Sequence, residues 1–307
     1  MSINVIFLGT AGSVPTPTRN LPATIIKRQN EQLMFDCGEG TQRQMIRAKV
    51  GFHKKTKIFI THMHGDHVLG IPGLLQTMAL MDRQKRLEIY GPEGIKQFLE
   101  CTRESLQFGL TFPVEIHEIY DAGIVVEEKE YLVKAEKSNH VVTSLAYAFE
   151  EKSRPGKFYP EKAKALAIPE GELWSKLQHG NKITLPNGQV INPDDVLGAS
   201  RKGRKIVYTG DTRPFASFAR FAANADLIIH DSTFDNALSE KAELDGHSTP
   251  SQAGQQAQRA KAKKLVLSHI SARYSDAVLL LEQAQEVFKN TVVAEDFMEL
   301  EIPLSNS

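Results

Sequence analysis

Residues 57–70 read KIFITHMHGDHVLG, and three histidines and one aspartate fall within six positions of this stretch. An apolar run precedes the cluster and apolar residues at helical spacing follow it, which places the cluster on a loop between a strand and a helix. Histidine nitrogens and carboxylate oxygens are the ligands that zinc and similar divalent ions take at catalytic sites. The stretch therefore favours a metal site over a polar loop whose histidines have ordinary partners.

The spacing inside this cluster predicts two ions. Side chains two residues apart point the same way on an extended loop, so His62 and His64 can share one ion. Asp66 and His67 follow too closely to reach that ion and are placed for a second one.

Further candidate ligands stand where later predicted strands end. His140 follows the strand at 131–137, Asp211 ends IVYTGD, and His269 ends KLVLSH. Each alone would be an ordinary core or surface residue, but strand ends of an α/β fold converge at one sheet edge, where such folds place their sites. The hypothesis is that His62, His64 and His140 hold one ion, Asp66, His67 and His269 hold the other, and Asp211 bridges them.

Composition sets the limits on function. The 307 residues include 37 basic and 37 acidic ones, so the formal net charge is zero and gives no indication of a nucleic-acid or membrane partner. No window approaches the roughly 20 apolar residues of a spanning helix, and the N-terminal segment makes a poor signal peptide. Cys37 and Cys101 form no CxxC pair, which indicates a reducing, cytoplasmic setting.

Alternating elements fill most of the chain, which favours a layered α/β fold. Residues 152–204 differ because they are rich in Gly, Pro and Lys, and we interpret them as an insertion. The predicted strands are 3–9, 23–28, 33–38, 57–61, 87–90, 114–119, 123–127, 131–137, 144–150, 205–209, 226–230, 264–268 and 291–295. The predicted helices include 93–107, 215–224, 250–263 and 276–288.

The motifs carry a family resemblance. THMHGDH resembles the HxHxDH signature of the metallo-β-lactamase superfamily, and His140, Asp211 and His269 follow in its order. The resemblance narrows to ribonuclease Z, the endonucleases that mature the 3′ end of precursor tRNA, on further blocks: FDCGEGTQRQ at 35–44, YTGDTR at 208–213, HDSTF at 230–234, GHST at 246–249 and LSHISARY at 267–274. It implies a four-layer αββα sandwich over residues 1–307, with an arm at 152–204 that holds tRNA.

This resemblance implies a zinc-dependent endoribonuclease that removes the 3′ trailer from precursor tRNA, leaving a 3′-hydroxyl on the tRNA and a 5′-phosphate on the trailer. It also implies two Zn²⁺ per subunit, with Mn²⁺ as the alternative ion, and a homodimer. Two metals stabilise both the attacking and the leaving oxygens of a phosphodiester displacement. A general metal-dependent phosphodiesterase of the same fold and a non-catalytic RNA-binding protein remain alternatives.

The resemblance also assigns catalytic roles. It makes Asp66 the base as well as a ligand, His247 the general acid or a donor to the phosphate, and Asp231 the carboxylate that orients His247, although relatives often carry the longer Glu at that position. The other interpretation of His247 is a neighbour of the helix cap formed by Ser248 and Thr249. Asp36 resembles the aspartate that braces the histidine loop and is not expected to be a ligand.

Basic residues are the candidate RNA contacts. Arg273 has forked donors that suit phosphate, with a structural ion pair as the alternative. Arg19 ends PTPTRN at 15–20, where relatives read PxKxRN in a loop that helps to exclude tRNAs bearing CCA; Pro17 replaces the lysine here. Lys157, Lys162 and Lys164 lie in the arm, where lysines also commonly form a solvated face.

Overall fold

Two seven-stranded β-sheets form the centre of the molecule, whose computed structural model describes residues 2–304. The strands are β1 (Ile3–Gly9), β2 (Ala11–Gly12), β3 (Ala23–Arg28), β4 (Glu31–Phe35), β5 (Lys55–Phe59), β6 (Leu87–Gly91), β7 (Val114–Glu118), β8 (Gly123–Glu127), β9 (Tyr131–Lys137), β10 (Leu145–Glu151), β11 (Ile183–Thr184), β12 (Val190–Ile191), β13 (Lys205–Tyr208), β14 (Leu227–Asp231), β15 (Leu265–Ser268), β16 (Ile270–Ser271), β17 (Thr291–Val293) and β18 (Glu299–Ile302). The α-helices are α1 (Thr41–Arg47), α2 (Gly65–Val68), α3 (Gly70–Leu80), α4 (Ile95–Leu106), α5 (Pro160–Ala165), α6 (Glu172–Gln178), α7 (Pro193–Val196), α8 (Phe218–Phe221), α9 (Ser239–Asp245), α10 (Pro250–Arg259) and α11 (Val278–Val287).

The strand order brings the later candidate ligands to one edge. The first sheet runs β18-β1-β3-β4-β5-β6-β7 and the second runs β17-β15-β14-β13-β10-β9-β8. In the second sheet β13, β14, β15 and β17 are parallel, so their carboxyl ends lie together. The residues of β13, β14 and β15 are almost wholly buried, as expected for parallel strands covered on both faces.

Three apolar layers hold the sandwich together. Between the sheets lies an aromatic cluster in which the rings of Phe35 and Phe59 stack 5.2 Å apart and pack against Tyr147 and Tyr208. A second layer packs α1, α3 and α4 on the outer face of the first sheet. A third packs α8, α10 and α11 on the outer face of the second. The order of layers is helix, sheet, sheet, helix, and the predicted αββα sandwich is confirmed.

The chain divides into two compact units, one reaching to Glu150 and resuming from Lys205 to Pro303, the other spanning Glu151 to Arg204. The second unit contains α5, α6, the β11–β12 hairpin and α7, none of which the sequence analysis assigned. Its own small core buries seven side chains and packs the rings of Phe158 and Trp174 together. At its two ends, the buried guanidinium of Arg204 pairs with Glu151 at 2.7 Å.

None of the helices among residues 2–304 has the length and the apolar run that crossing a bilayer requires.

Candidate active site

The histidine-rich stretch follows β5, as predicted, but it is only partly a loop. His62 and His64 lie in the extended segment after the strand, whereas Asp66 and His67 already belong to the single turn of α2. The segment is extended at His64, with φ −65° and ψ 147°, and the helix starts at the next residue, Gly65. The turn aims Asp66 and His67 at a different point in space from the two earlier histidines.

One group of donor atoms gathers around His64. Its Nδ1 lies 3.0 Å from His62 Nε2 and 3.3 Å from His140 Nε2, and Asp211 Oδ2 lies 3.7 Å from His62 Nε2. His140 donates its Nδ1 hydrogen to the carbonyl of Gly246 at 2.7 Å, which fixes the tautomer and leaves Nε2 unprotonated toward the group. Within this group all four ligand atoms lie within 4.8 Å of one another.

A second group gathers around Asp66. Its Oδ2 lies 3.4 Å from His67 Nε2 and 3.4 Å from His269 Nε2. Asp211 stands between the two groups, because its Oδ1 is 3.2 Å from His269 Nε2 while its Oδ2 is 3.4 Å from His67 Nε2. The structure thus brings together all seven residues in the partition that the sequence suggested.

The donor set fits divalent metal ions. Every converging atom is a histidine nitrogen or a carboxylate oxygen, the donors that such ions prefer. His67 Nε2 and Asp211 Oδ1 are buried and make no hydrogen bond with residues 2–304. Buried polar atoms without partners are costly, and a cation between these two groups would satisfy both atoms.

The electrostatics of the cluster also suit a cation. Burial opposes ionisation of Asp66, but the neighbouring imidazoles of His269 and His67 outweigh it and hold the pKa of this carboxyl well below its usual range. For His67, burial lowers the pKa, yet the carboxylates of Asp211 and Asp36 raise it well above normal. The site therefore concentrates ionised carboxylate, and a metal ion bound at His67 would compete with a proton for the ring nitrogen.

Asp36 holds the histidine-rich stretch in place through hydrogen bonds. Its carboxylate accepts hydrogen bonds from the backbone and hydroxyl of Thr61, from the Tyr208 hydroxyl at 2.9 Å and from His67 Nδ1 at 2.8 Å. The bond to His67 directs its Nε2 toward the second group. Asp36 adopts a left-handed backbone with φ 56°, an uncommon conformation for a non-glycine residue that the surrounding hydrogen bonds enforce.

A second hydrogen-bonded system lies next to the cluster. His247 Nδ1 donates to Asp231 Oδ2 at 2.9 Å, the contact that the sequence analysis expected of these two residues. Burial lowers the pKa of His247, but the nearby carboxylates of Asp231 and Asp211 prevail and raise it to about 9. The helix cap named in the other interpretation of His247 is present too: Thr249 caps α10 in a capping box with Gln252.

Thr233 is a residue that the sequence analysis missed. Its hydroxyl donates to Asp231 Oδ1 at 2.6 Å and lies 2.8 Å from His269 Nδ1 and 3.1 Å from His247 Nδ1. A donation from His269 Nδ1 to this oxygen leaves His269 Nε2 free for the second group. The available signal was its place in HDSTF, two residues after Asp231.

The candidate RNA contacts of the first unit have different surroundings. Arg273 is exposed, forms no ion pair with residues 2–304, and lies with its guanidinium 4.9 Å from the ring of Phe234. That ring lies 5.8 Å from the ring of His247, so Arg273 is near the cluster. Arg19 instead donates to Thr10 at 2.7 Å and to the carbonyl of Ala294, so part of its guanidinium has intramolecular acceptors.

Two of the three candidate lysines of the second unit lie near one aromatic ring. The ammonium groups of Lys157 and Lys162 lie 5.9 and 4.9 Å from the ring of Tyr159. Lys164 pairs with Glu170 at 3.1 Å on the surface.

Comparisons with known proteins agree with this geometry. Residues 161–270 match the model of a beta-lactamase superfamily domain, and residues 3–149 match that of the anti-Pycsar protein Apyc1. Ribonuclease Z of Nitrosopumilus maritimus strain SCM1 is 46% identical over 300 residues, covering 98% of this chain and 100% of the relative. Ribonuclease Z of Methanosarcina acetivorans is 47% identical over 302 residues, covering 98% of both. The crystal structure of human tRNase Z, short form, superposes with a TM-score of 0.74 at 30% identity, covering 98% of this chain and 100% of that one.

The sandwich and the edge cluster define a metal-dependent hydrolase of the metallo-β-lactamase superfamily. At 46–47% identity over nearly full length, the chain belongs to the ribonuclease Z family.

Proposed function

We propose that this protein is the endoribonuclease that removes the 3′ trailer from precursor tRNA, leaving a 3′-hydroxyl on the tRNA and a 5′-phosphate on the trailer. The single observation that carries the proposal is the seven-residue cluster centred on Asp211, found in a chain of this family. A hydrolytic cut that leaves the phosphate on the trailer requires water to attack phosphorus and the tRNA 3′ oxygen to leave.

The cluster is proposed to hold two divalent ions, zinc in the first instance and manganese as the alternative. His62, His64 and His140 would hold one, Asp66, His67 and His269 the other, and Asp211 would contact both. When bound, two such ions lower the pKa of the attacking water and neutralise charge on the phosphate oxygens. The bonds from His140 to Gly246 and from His67 to Asp36 keep the ligand nitrogens aimed inward.

Asp66 is proposed to accept the proton of the attacking water. Its carboxyl is ionised across the physiological range, because its pKa lies well below its usual value. Oδ2 is fixed by the backbone N–H of Ser13 at 2.9 Å, and the side chain retains 12% exposure, so water can reach it. A fixed acceptor that water can approach meets the geometric requirement for a general base.

His247 is proposed to donate the proton that the departing 3′ oxygen needs. Asp231 accepts from Nδ1, so Nε2 is the atom free to face the leaving group. With the pKa raised to about 9 by the neighbouring carboxylates, the imidazole carries its proton near neutrality. The stack of His247 on His269, with ring centroids 5.2 Å apart, keeps the acid next to the second group of ligands.

RNA binding is proposed to use phosphate contacts without sequence readout. Arg273 would contact the substrate near the cut, and Lys157, Lys162 and Lys164 would contact it from the inserted arm, a tRNA-binding exosite within an otherwise single metallo-β-lactamase-like domain. Arg19 is proposed to act through its loop, where the exposed Pro17 stands at the lysine position of relatives. We also propose that the protein works as a homodimer in the cytoplasm.

The test is cleavage of two end-labelled precursor tRNAs, one encoding CCA and one without it, mapped at single-nucleotide resolution with zinc or manganese. A single metal-dependent cut on the 3′ side of the acceptor stem supports the proposal, and its position reports the effect of Pro17. Intact RNA beside hydrolysis of bis(p-nitrophenyl) phosphate would indicate a general phosphodiesterase instead. Asp66→Ala is the matched inactive variant, and it should still bind the RNA.

A further inference from the structure

The C-terminal end of α9 connects two parts of the site. The helix stops at Gly246, whose φ of 86° is the left-handed conformation common at helix ends. The Ala242 carbonyl accepts from the backbone N–H of His247 at 2.8 Å. The Gly246 carbonyl accepts from His140 Nδ1 at 2.7 Å. A proposed ligand and the proposed acid therefore both take their position from this helix end.

Arg213 holds the same helix end to the segment that carries His140. Its guanidinium donates to the carbonyls of Glu243 and Leu244, which are among the last carbonyls of α9 and have no partner within the helix. Its backbone N–H donates to the carbonyl of Asn139 at 2.8 Å. Arg213 is the last residue of the YTGDTR motif, two residues after Asp211. One short segment therefore supplies Asp211 to the ligand cluster and contacts both the end of α9 and the segment that carries His140.

These bonds distinguish Arg213 from a phosphate-binding arginine. Its side chain is only 17% exposed, and its donors point at groups of the protein itself, namely the backbone carbonyls of Glu243 and Leu244 and, at 3.5 Å, Asn139 Oδ1. The one carboxylate paired with it, that of Glu243 at 3.3 Å, is 67% exposed, and exposed pairs contribute little. The helix carbonyls are thus the main partners of the guanidinium.

The fit at this helix end tolerates little movement. A Cβ atom added to Gly246 would lie 2.6 Å from His140 Nδ1 and 3.0 Å from the backbone nitrogen of Val141, which is closer than packed atoms approach. A shift of the helix end by a fraction of an ångström would therefore displace the His140 ring or lengthen its bond to Gly246.

We propose that Arg213 is a positioning residue: it holds the end of α9 against the His140 segment and thereby sets the ligand His140 and the acid His247 together. The role of His247 rests on the proposed RNA cleavage, whereas the effect on zinc affinity rests only on the proposed metal site. Partners that orient metal ligands typically change metal affinity or activity about 10- to 100-fold when they are removed.

The experiment compares the wild type with Arg213→Ala, Arg213→Met, Arg213→Lys and Glu243→Gln. Zinc affinity is measured by competition with a chromophoric chelator, and kcat and KM are measured on precursor tRNA at several salt concentrations. Arg213→Ala and Arg213→Met should weaken at least one zinc site and lower kcat about tenfold or more, with KM unchanged. Arg213→Lys, which can still donate to one carbonyl, should recover part of the loss. Glu243→Gln keeps the backbone carbonyl and should match the wild type.

Wild-type zinc affinity and kcat in a folded Arg213→Met protein would overturn the proposal, and this variant keeps the apolar stem in case Arg213→Ala does not fold. A rise in KM with a shallower salt dependence would also overturn it, because a lost phosphate contact behaves in that way. If the wild type fails to cut precursor tRNA, the proposed function fails, and the zinc affinities alone decide the role of Arg213.

Discussion

Replacing Asp231 with Asn tests how the proposed acid is held. The buried carboxylate accepts four hydrogen bonds: Oδ2 accepts from the backbone of Thr212 and from His247 Nδ1, and Oδ1 accepts from the backbone and hydroxyl of Thr233. An amide of the same shape keeps one acceptor oxygen and replaces the other by a donating NH₂ group, so two of the four donors lose their partner. The orientation that keeps the bonds to Thr233 places the amide N–H₂ against His247.

The expected loss of activity follows from the lost hydrogen bond between His247 and the Asp231 carboxylate. A hydrogen bond to a charged group contributes about 1.5–3 kcal/mol, and each tenfold change in rate corresponds to about 1.4 kcal/mol. Asp231→Asn should therefore lower kcat on precursor tRNA about 10- to 100-fold, while KM stays the same because Asp231 touches no substrate. Folding stability should also fall by about 1–3 kcal/mol for each orphaned buried donor.

The assay is single-turnover cleavage of end-labelled precursor tRNA with enzyme in excess, combined with urea unfolding. Asp235→Asn is the matched control, because it makes the same chemical change on a carboxylate that caps the 3₁₀ helix at Asn236–Leu238 and does not touch His247. A folded Asp231→Asn protein that cleaves at the wild-type rate would refute the coupling between Asp231 and His247.

Three further outcomes are expected. Removing bound metal with EDTA should abolish cleavage and lower the melting temperature, because an ion that binds only the folded state stabilises it. If cleavage returned with magnesium but not with zinc or manganese, the proposed ligand set would be contradicted. Replacing residues 153–202 with a short Gly-rich turn should abolish precursor tRNA cleavage and leave bis(p-nitrophenyl) phosphate hydrolysis unchanged, since β10 and β13 pair directly through Glu150 and Lys205; retained RNA cleavage would exclude the arm as an exosite. A thiol reagent at pH 8 should label Cys101 alone in the folded protein, because burial raises the pKa of Cys37 to about 12, and labelling of two thiols before unfolding would contradict its burial.

Much of the fold was predictable because its strands are short apolar runs between Gly, Pro and Asn. Predicted strands at 3–9 and 23–28 coincide with β1 and β3. The prediction at 33–38 ran past Phe35, since Asp36 turns into a left-handed conformation to bind Thr61 and His67, and an apolar pattern carries no trace of that turn. The helix predicted at 215–224 shortens to Phe218–Phe221.

Other parts depend on contacts between distant segments. The two-residue strands β2 and β16 pair with each other across more than half of the chain, so no local pattern marks them. The convergence of the candidate ligands could be predicted because histidine and aspartate at strand ends are rare enough to be informative. The role of Arg213 could not be predicted, because it lies in hydrogen bonds to backbone carbonyls that only the tertiary structure brings near, and Thr233 was marked only by its place in HDSTF.

The inserted unit also bears on how the chain folds. Strands β10 and β13 are neighbours in the second sheet although Glu151 and Arg204 are 53 positions apart in the sequence. Closing a flexible loop of that length costs conformational entropy that grows with its logarithm, and long-range pairing of this kind slows folding. Because the insertion has a core of its own and a buried ion pair joining its ends, it can fold locally and present the two strands already close together. The segment that is proposed to bind RNA would then also speed the pairing of β10 with β13 during folding.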